Sequence, residues 1–293
     1  MSIFYSAVET ICFGLNKLPG GGIKGAMDRA LTTSTGKEKL PAWVSRQCSV
    51  LEKSIQRLPV YILRHKDKSK RTNRAVLFLA GGGGMSRPTV LHYATVALIV
   101  QNTGATVYLP FYPLAPEHNV SEALSWLVRL YRNILKVHVP EDTVFAGDSA
   151  GANLCLSLTE RVTEKPRRLI LISPAFGIQN GAPRDIRLRM EKTDPLLSVA
   201  MNDCIAENWG RGVPLDSPDI SPEFIHYEGF PEMLFFYGSH ELFYPHVRSG
   251  QKKIKAQGAA VTTVEKPMCH DWALCWFFQE GREALAQMCD YIR

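Results

Sequence analysis

The chain alternates between short, continuously apolar runs and longer stretches of mixed polarity. The runs LPVYIL (58–63), RAVLFLA (74–80), ATVYLPF (105–111), TVFAG (143–147), RLILISPA (168–175), EMLFFYG (232–238) and AVTTVEK (260–266) are too short for helices. Most lack the apolar–polar alternation of a sheet with one wet face, as expected for strands buried on both sides of a parallel sheet. Helix-length segments fall between them, at 85–101, 120–136, 150–163, 245–257 and 281–292. Strands alternating with helices predict an α/β fold: a mostly parallel, doubly wound sheet with right-handed crossovers.

One interval breaks the rhythm. No strand pattern lies between Phe176 and Glu223, but DPLLSVAMNDCIAENWG (194–210) places Leu197, Met201, Ile205 and Trp209 at helical spacing. Residues 1–50 also carry no strand pattern. A single domain with a helical cap drawn from 1–50 and 176–223 is the expected organisation.

Composition narrows the class. A chain of 293 residues, 45% hydrophobic, is long enough for a large core. Its seven cysteines (Cys12, Cys48, Cys155, Cys204, Cys269, Cys275, Cys289) follow no disulfide-framework or zinc-ligand spacing, so reduced thiols in a cytoplasmic protein without metal are expected. The net charge is +6, and much of it lies in RHKDKSKRTNR (64–74). That run reads as a solvated hairpin tip between two strands, with contact to an anionic surface as the alternative. It has no interleaved aromatics and no binding motif, which excludes nucleic acid as a partner. The N-terminal MSIFYSAVETICFGLNKL lacks a basic start and a cleavage site and carries Glu9, so it reads as an amphipathic helix rather than a signal peptide. Packing on the body of the protein is the expectation, with weak contact to a membrane surface as the other reading.

The candidate chemistry sits in FAGDSAGANL (145–154). A strand, then Gly147-Asp148-Ser149-Ala150-Gly151, then a helix is the context of a nucleophile elbow. The serine takes a strained backbone conformation there, and glycines two positions either side let strand and helix approach. A serine needs a base and an orienting carboxylate, which follow later in the chain in this arrangement. His270 follows the last strand-like run, and Glu241 follows the one before it. His65, His92, His118 and His138 read as structural or solvated, and His240 comes one strand too early. Cys269 has no elbow around it and is not expected to act as a nucleophile. Gly81, Gly82, Gly83 and Gly84 follow an early strand, where backbone N–H groups can meet an acyl oxygen. The run has neither glycine pattern of a nucleotide-binding loop, so no cofactor is expected.

These motifs resemble the hormone-sensitive-lipase-like branch of the α/β-hydrolases. GDSAGAN (147–153) is similar to that family's nucleophile motif, LAGGGG to its His-Gly-Gly-Gly and YPLAPEH (112–118) to its Tyr-Arg-Leu-Ala-Pro-Glu. SPDISPEF, GFPEMLFFYGSHELF and KPMCHDW fall at its later motifs, so the likeness covers roughly 58–293. The resemblance implies an α/β-hydrolase fold with a cap, and acyl transfer through a serine ester to water. Ser149 is then nucleophile, His270 base and Glu241 acid, with the N–H groups of Gly82, Gly83 and Ala150 as oxyanion donors. It implies a small or medium apolar ester as substrate, of a metabolite or steryl-acetate type, and homodimers occur among the relatives. Three departures stand out: Ala80 for the family's His, Gly84 for a bulky aromatic and Pro113 for Arg. A looser glycine loop and a wider site are expected from the first two. Two other functions stay open: a lyase, cyclase or isomerase on the same fold, and a ligand receptor without chemistry, which the presence of His270 disfavours. With an ordinary imidazole as base, activity rises with pH near about 6.5.

Overall fold

In a computed structural model, which describes residues 3–17, 21–33, 39–176 and 183–293, the apolar runs assemble into one eight-stranded sheet. Three helices, α1 (Ile3–Asn16), α2 (Gly22–Thr33) and α3 (Ala42–Gln47), precede the hairpin of β1 (Cys48–Ile55) and β2 (Leu58–His65). Then follow β3 (Ala75–Leu79), α4 (Val90–Thr103), β4 (Thr106–Pro110), α5 (Val120–Ile134), β5 (Thr143–Asp148), α6 (Ser149–Arg161) and β6 (Arg168–Ile172). After β6 come α7 (Arg184–Glu191), α8 (Val199–Trp209), β7 (Glu232–Gly238), α9 (Tyr244–Ala256), β8 (Val261–Lys266) and α10 (Gln279–Ile292). The strand order is β1-β2-β4-β3-β5-β6-β7-β8, antiparallel at β1–β2 and β2–β4 and parallel elsewhere. This is the mostly parallel, doubly wound sheet expected, in the α/β-hydrolase arrangement.

Burial explains which strands were legible. Every residue of β3, β4 and β5 is buried, with helices covering both faces. The strand β1 was not anticipated. It lies at the sheet edge with Leu51, Glu52, Lys53 and Ser54 exposed, so it carries no apolar pattern and is defined by pairing with β2 along its whole length. That pairing corrects the reading of 64–74. The hairpin turn is at Gln56 and Arg57, both with positive φ, and β4 lies between β2 and β3. The basic run is therefore a crossover connection, exposed along 66–70, and not a hairpin tip.

The helix expected from residue 85 starts at Val90. The N–H groups of Met85 and Ser86 both turn back to the Gly82 carbonyl, and Pro88 precedes the N-cap Thr89. In α5 the periodicity is regular: Val120, Ala123, Leu124, Leu127, Leu130, Tyr131 and Ile134 are buried on one face. Asn119 and Glu122 cap it reciprocally. The charged α7 went unread because none of its residues is buried. The N-terminal α1 packs on the body: Tyr5 is buried against Phe278, with ring centroids 5.3 Å apart, and its hydroxyl accepts the Cys269 N–H at 2.6 Å. No helix among the described residues is long and apolar enough to cross a membrane.

Backbone packs very closely where β5 turns into α6 beneath the end of β3. A Cβ on Gly151 would stand 1.9 Å from the Leu79 carbonyl oxygen, and one on Gly147 would stand 2.7 Å from both the Gly151 and Leu79 carbonyl oxygens. Backbone cannot yield there as a flexible side chain could. Gly151→Ala is therefore expected to destabilise the protein by about 1–3 kcal/mol through overpacking. A lowered urea midpoint with unchanged slope would report it, whereas an unchanged midpoint would mean that this crossing is looser than described.

Candidate active site

The elbow holds Ser149 at φ 51°, in the left-handed region that a serine rarely occupies. The strain is held from two sides. The Ser149 carbonyl accepts the Ala175 N–H at 3.1 Å, and the two glycine contacts above fix the path of the chain. Ser149 opens α6, so the Ala150 N–H lies in the first turn, where helical amides have no intrahelical acceptor.

A cavity of about 70 Å³ lies above the serine. Gly82, Gly83, Ala150 and His270 share it with Ser149, and Leu197, Met201, Ile205, Leu242 and Phe243 supply most of its apolar wall. Five of the six expected site residues therefore meet in one space. The sixth, Glu241, is fully buried behind the imidazole, with Oε2 3.4 Å from His270 Nδ1. This is ion-pair range but long for a hydrogen bond. The Phe243 ring packs edge-on to the imidazole, centroids 5.4 Å apart. His240, the rival histidine, points elsewhere and pairs with Glu9 at 3.1 Å. Cys269 is buried and its thiol is pushed well above its ordinary value, which leaves it inert.

The glycine loop is neither loose nor wide, contrary to the expectation from Ala80 and Gly84. The Tyr112 hydroxyl donates to the Ala80 carbonyl at 2.6 Å, and the Ala115 N–H donates to the Gly84 carbonyl at 2.9 Å. Asp148 Oδ2 accepts the Gly81 N–H at 3.1 Å and contacts His92 Nε2 at 2.9 Å. Because His92 Nδ1 accepts the Thr89 N–H at 2.8 Å, its proton resides on Nε2 and is donated to Asp148. A carboxylate beside Ser149 thus ties the loop to the strand–helix turn where a histidine side chain is missing. The room left by Gly84 is filled from above: a Cβ there would lie 2.2 Å from the Trp209 ring, and one on Gly83 would lie 2.6 Å from Ile205. Both covering residues belong to α8.

Two further carboxylates, neither foreseen from the sequence, surround the imidazole. Asp194 is fully buried and accepts the N–H groups of Leu196, Leu197 and Leu242, joining the start of α8 to the residue after Glu241. Asp271 adopts φ 57° and places Oδ2 3.3 Å from His270 Nε2, inside the cavity. Its N–H donates to Ser173 Oγ at 3.0 Å. Burial disfavours the imidazolium, but Asp271, then Glu241 and Asp194, outweigh it and push His270 up to about 9. Burial likewise pushes Glu241 up, with His270 and Ser173 pulling it back. The sequence reading expects an ordinary imidazole value for His270; the surrounding carboxylates move it up.

Comparison with known proteins bears on the family and the fold. A family model described as alpha/beta hydrolase fold matches residues 76–274. An esterase of Acinetobacter venetianus is 28% identical over 235 residues, covering 76% of each chain. The esterase LipU of Mycobacterium tuberculosis is 29% identical over 238 residues, covering 76% of this chain and 78% of its own. Among solved structures, the EstE5 crystal soaked with p-nitrophenyl butyrate superposes with a TM-score of 0.83 at 23% identity, covering 100% of this chain and 98% of its own. In ¹H–¹⁵N NMR spectra, His270 is expected to titrate near 9; a midpoint near about 6.5 would show that the carboxylates exert no net pull.

Proposed function

Because this chain belongs to the α/β-hydrolase family and is a carboxylic-ester hydrolase, we propose that it is a serine esterase in which Ser149, His270 and Glu241 form the triad. The observation that carries the reading is the shared cavity of Ser149, His270, Gly82, Gly83 and Ala150, with Glu241 buried behind the imidazole. The neutral imidazole takes the Ser149 hydroxyl proton at Nε2 as Oγ attacks the acyl carbon. Glu241 holds Nδ1–H and stabilises the imidazolium that forms. The carbonyl electron pair moves onto oxygen, facing the N–H groups of Gly82, Gly83 and Ala150. Collapse of the adduct passes the Nε2 proton to the leaving alcohol, and water then repeats the sequence on the acyl-enzyme.

Cavity size narrows the substrate. About 70 Å³ holds only a handful of water molecules, and Ile205 and Trp209 close the glycine loop from above. The acyl group is therefore short, of acetyl to butyryl size, and the alcohol half lies toward the mouth. By size alone, an acetylated metabolite, including a steryl acetate, fits this division. We assign the cap to α8, the segment joining it to β7 and the N-terminal helices, with Asp194 as the tie between cap and acid loop. No cofactor enters these steps.

Replacing Ser149 with Ala is expected to lower kcat for a p-nitrophenyl acetate-type ester by roughly 10⁴-fold or more, with the thermal midpoint retained. Activity that survives Ser149→Ala would overturn the triad. Ile205→Ala is expected to raise the hexanoyl-to-acetyl ratio of kcat/KM by about tenfold, since each buried methylene contributes 1–3 kcal/mol of discrimination. An unchanged ratio would place the acyl group elsewhere.

A further inference from the structure

The position after His270 holds a carboxylate that the triad does not use. Asp271 sits at φ 57° and ψ 23°, a conformation that suits glycine and is costly for most side chains. Its side chain is 22% exposed, and it lines the same cavity as Ser149. Oδ2 stands 3.3 Å from His270 Nε2, the nitrogen that must face the serine, while Oδ1 is enclosed and has no hydrogen-bond partner. Its surroundings are acidic: Glu241 follows β7, Asp194 precedes α8 and Asp148 ends β5. The Cys275 thiol also faces it and is pushed up to about 12, mainly by burial and then by Asp271. Asp271 therefore holds Nε2 in its protonated form in the free protein, through charge at ion-pair range rather than through a hydrogen bond. A protonated Nε2 cannot accept the hydroxyl proton of Ser149.

Resting on the serine-esterase reading, we propose that Asp271 is the specificity-determining residue of this site: it binds a hydrogen-bond donor, a hydroxyl or an ammonium, carried by the substrate within two or three bonds of the scissile ester, and that contact releases His270 for catalysis. The chemistry balances without a co-reactant. The substrate's O–H or N–H donates to the Asp271 carboxylate, the carboxylate's hold on the imidazolium weakens, and the Nε2 proton leaves to solvent. The freed Nε2 lone pair then accepts the Ser149 hydroxyl proton as the Oγ–C bond forms. An ester without such a donor meets an imidazole still paired with Asp271, and an apolar wall alone does not supply the replacement.

The test compares three acyl-matched esters whose alcohol carries a β-hydroxyl, a β-ammonium or a β-methoxy group, on the wild type, Asp271→Asn and Asp271→Gly. Asn keeps the shape of Asp and tolerates positive φ, and Gly relieves the strain, so both are expected to fold. For the wild type at pH 7, kcat/KM for at least one donor ester is expected to exceed that for the methoxy ester by about tenfold or more; which donor wins identifies the source. In both variants the ratio falls to within about twofold, and the apparent pKa of kcat/KM for the methoxy ester drops by at least one unit. Equal ratios in wild type and variants, or an unmoved pH profile, would overturn the proposal while leaving the esterase intact. Hydrolysis that persists in Ser149→Ala would instead remove the reading on which it rests.

Discussion

The site depends on one steric constraint, the crossing of β5 and α6 beneath the end of β3. With 1.9 Å between a notional Gly151 Cβ and the Leu79 carbonyl, the chain can turn there only without side chains at 147 and 151. That turn lifts Ser149 into positive φ, presents its hydroxyl above the sheet and aims the first amides of α6 at the same point. The glycine loop leaves the end of the neighbouring strand β3, so the parallel register Leu79↔Gly147 brings that loop and Ser149 side by side. The histidine and acid loops leave β8 and β7 at the same sheet end.

What surrounds this frame decides its chemistry. The glycine loop lacks the histidine expected before it, yet it is bound by Tyr112, by Ala115 and by the Asp148 carboxylate that His92 orients. The missing aromatic at 84 is replaced in space by Trp209 from a helix 125 residues further along the chain. Such substitution across sequence keeps the cavity small. Acidic groups close on the imidazole from three connections, and Asp194 joins the backbone just before α8 to the backbone beside Glu241. The wall of the cavity and the surroundings of His270 thus share one buried carboxylate.

The sheet was legible because its central strands are buried on both faces, so their apolar runs stand out; edge strand β1 and the exposed α7 were not, because neither buries an apolar face. Ser149, His270, Glu241 and the glycine run were legible because each is tied to a strand end whose order the chain displays. The consequences of Ala80 and Gly84 were misread, since Trp209 and Tyr112 act across long separations that a local motif does not encode. Asp271 lies within KPMCHDW, but its place against His270 depends on a backbone twist that only the fold shows. Asp194 and His92 likewise gain meaning from contacts 48 and 56 residues away.

The most direct measurement of the central claim is intact-protein mass spectrometry after treatment with a fluorophosphonate, followed by peptide mapping, on the wild type and on His270→Ala. A single phosphonyl adduct on Ser149 in the wild type, absent from His270→Ala, is the predicted result, because the hydroxyl is nucleophilic only beside its base. An adduct on another residue, or none on folded wild-type protein at pH 9, would contradict the account.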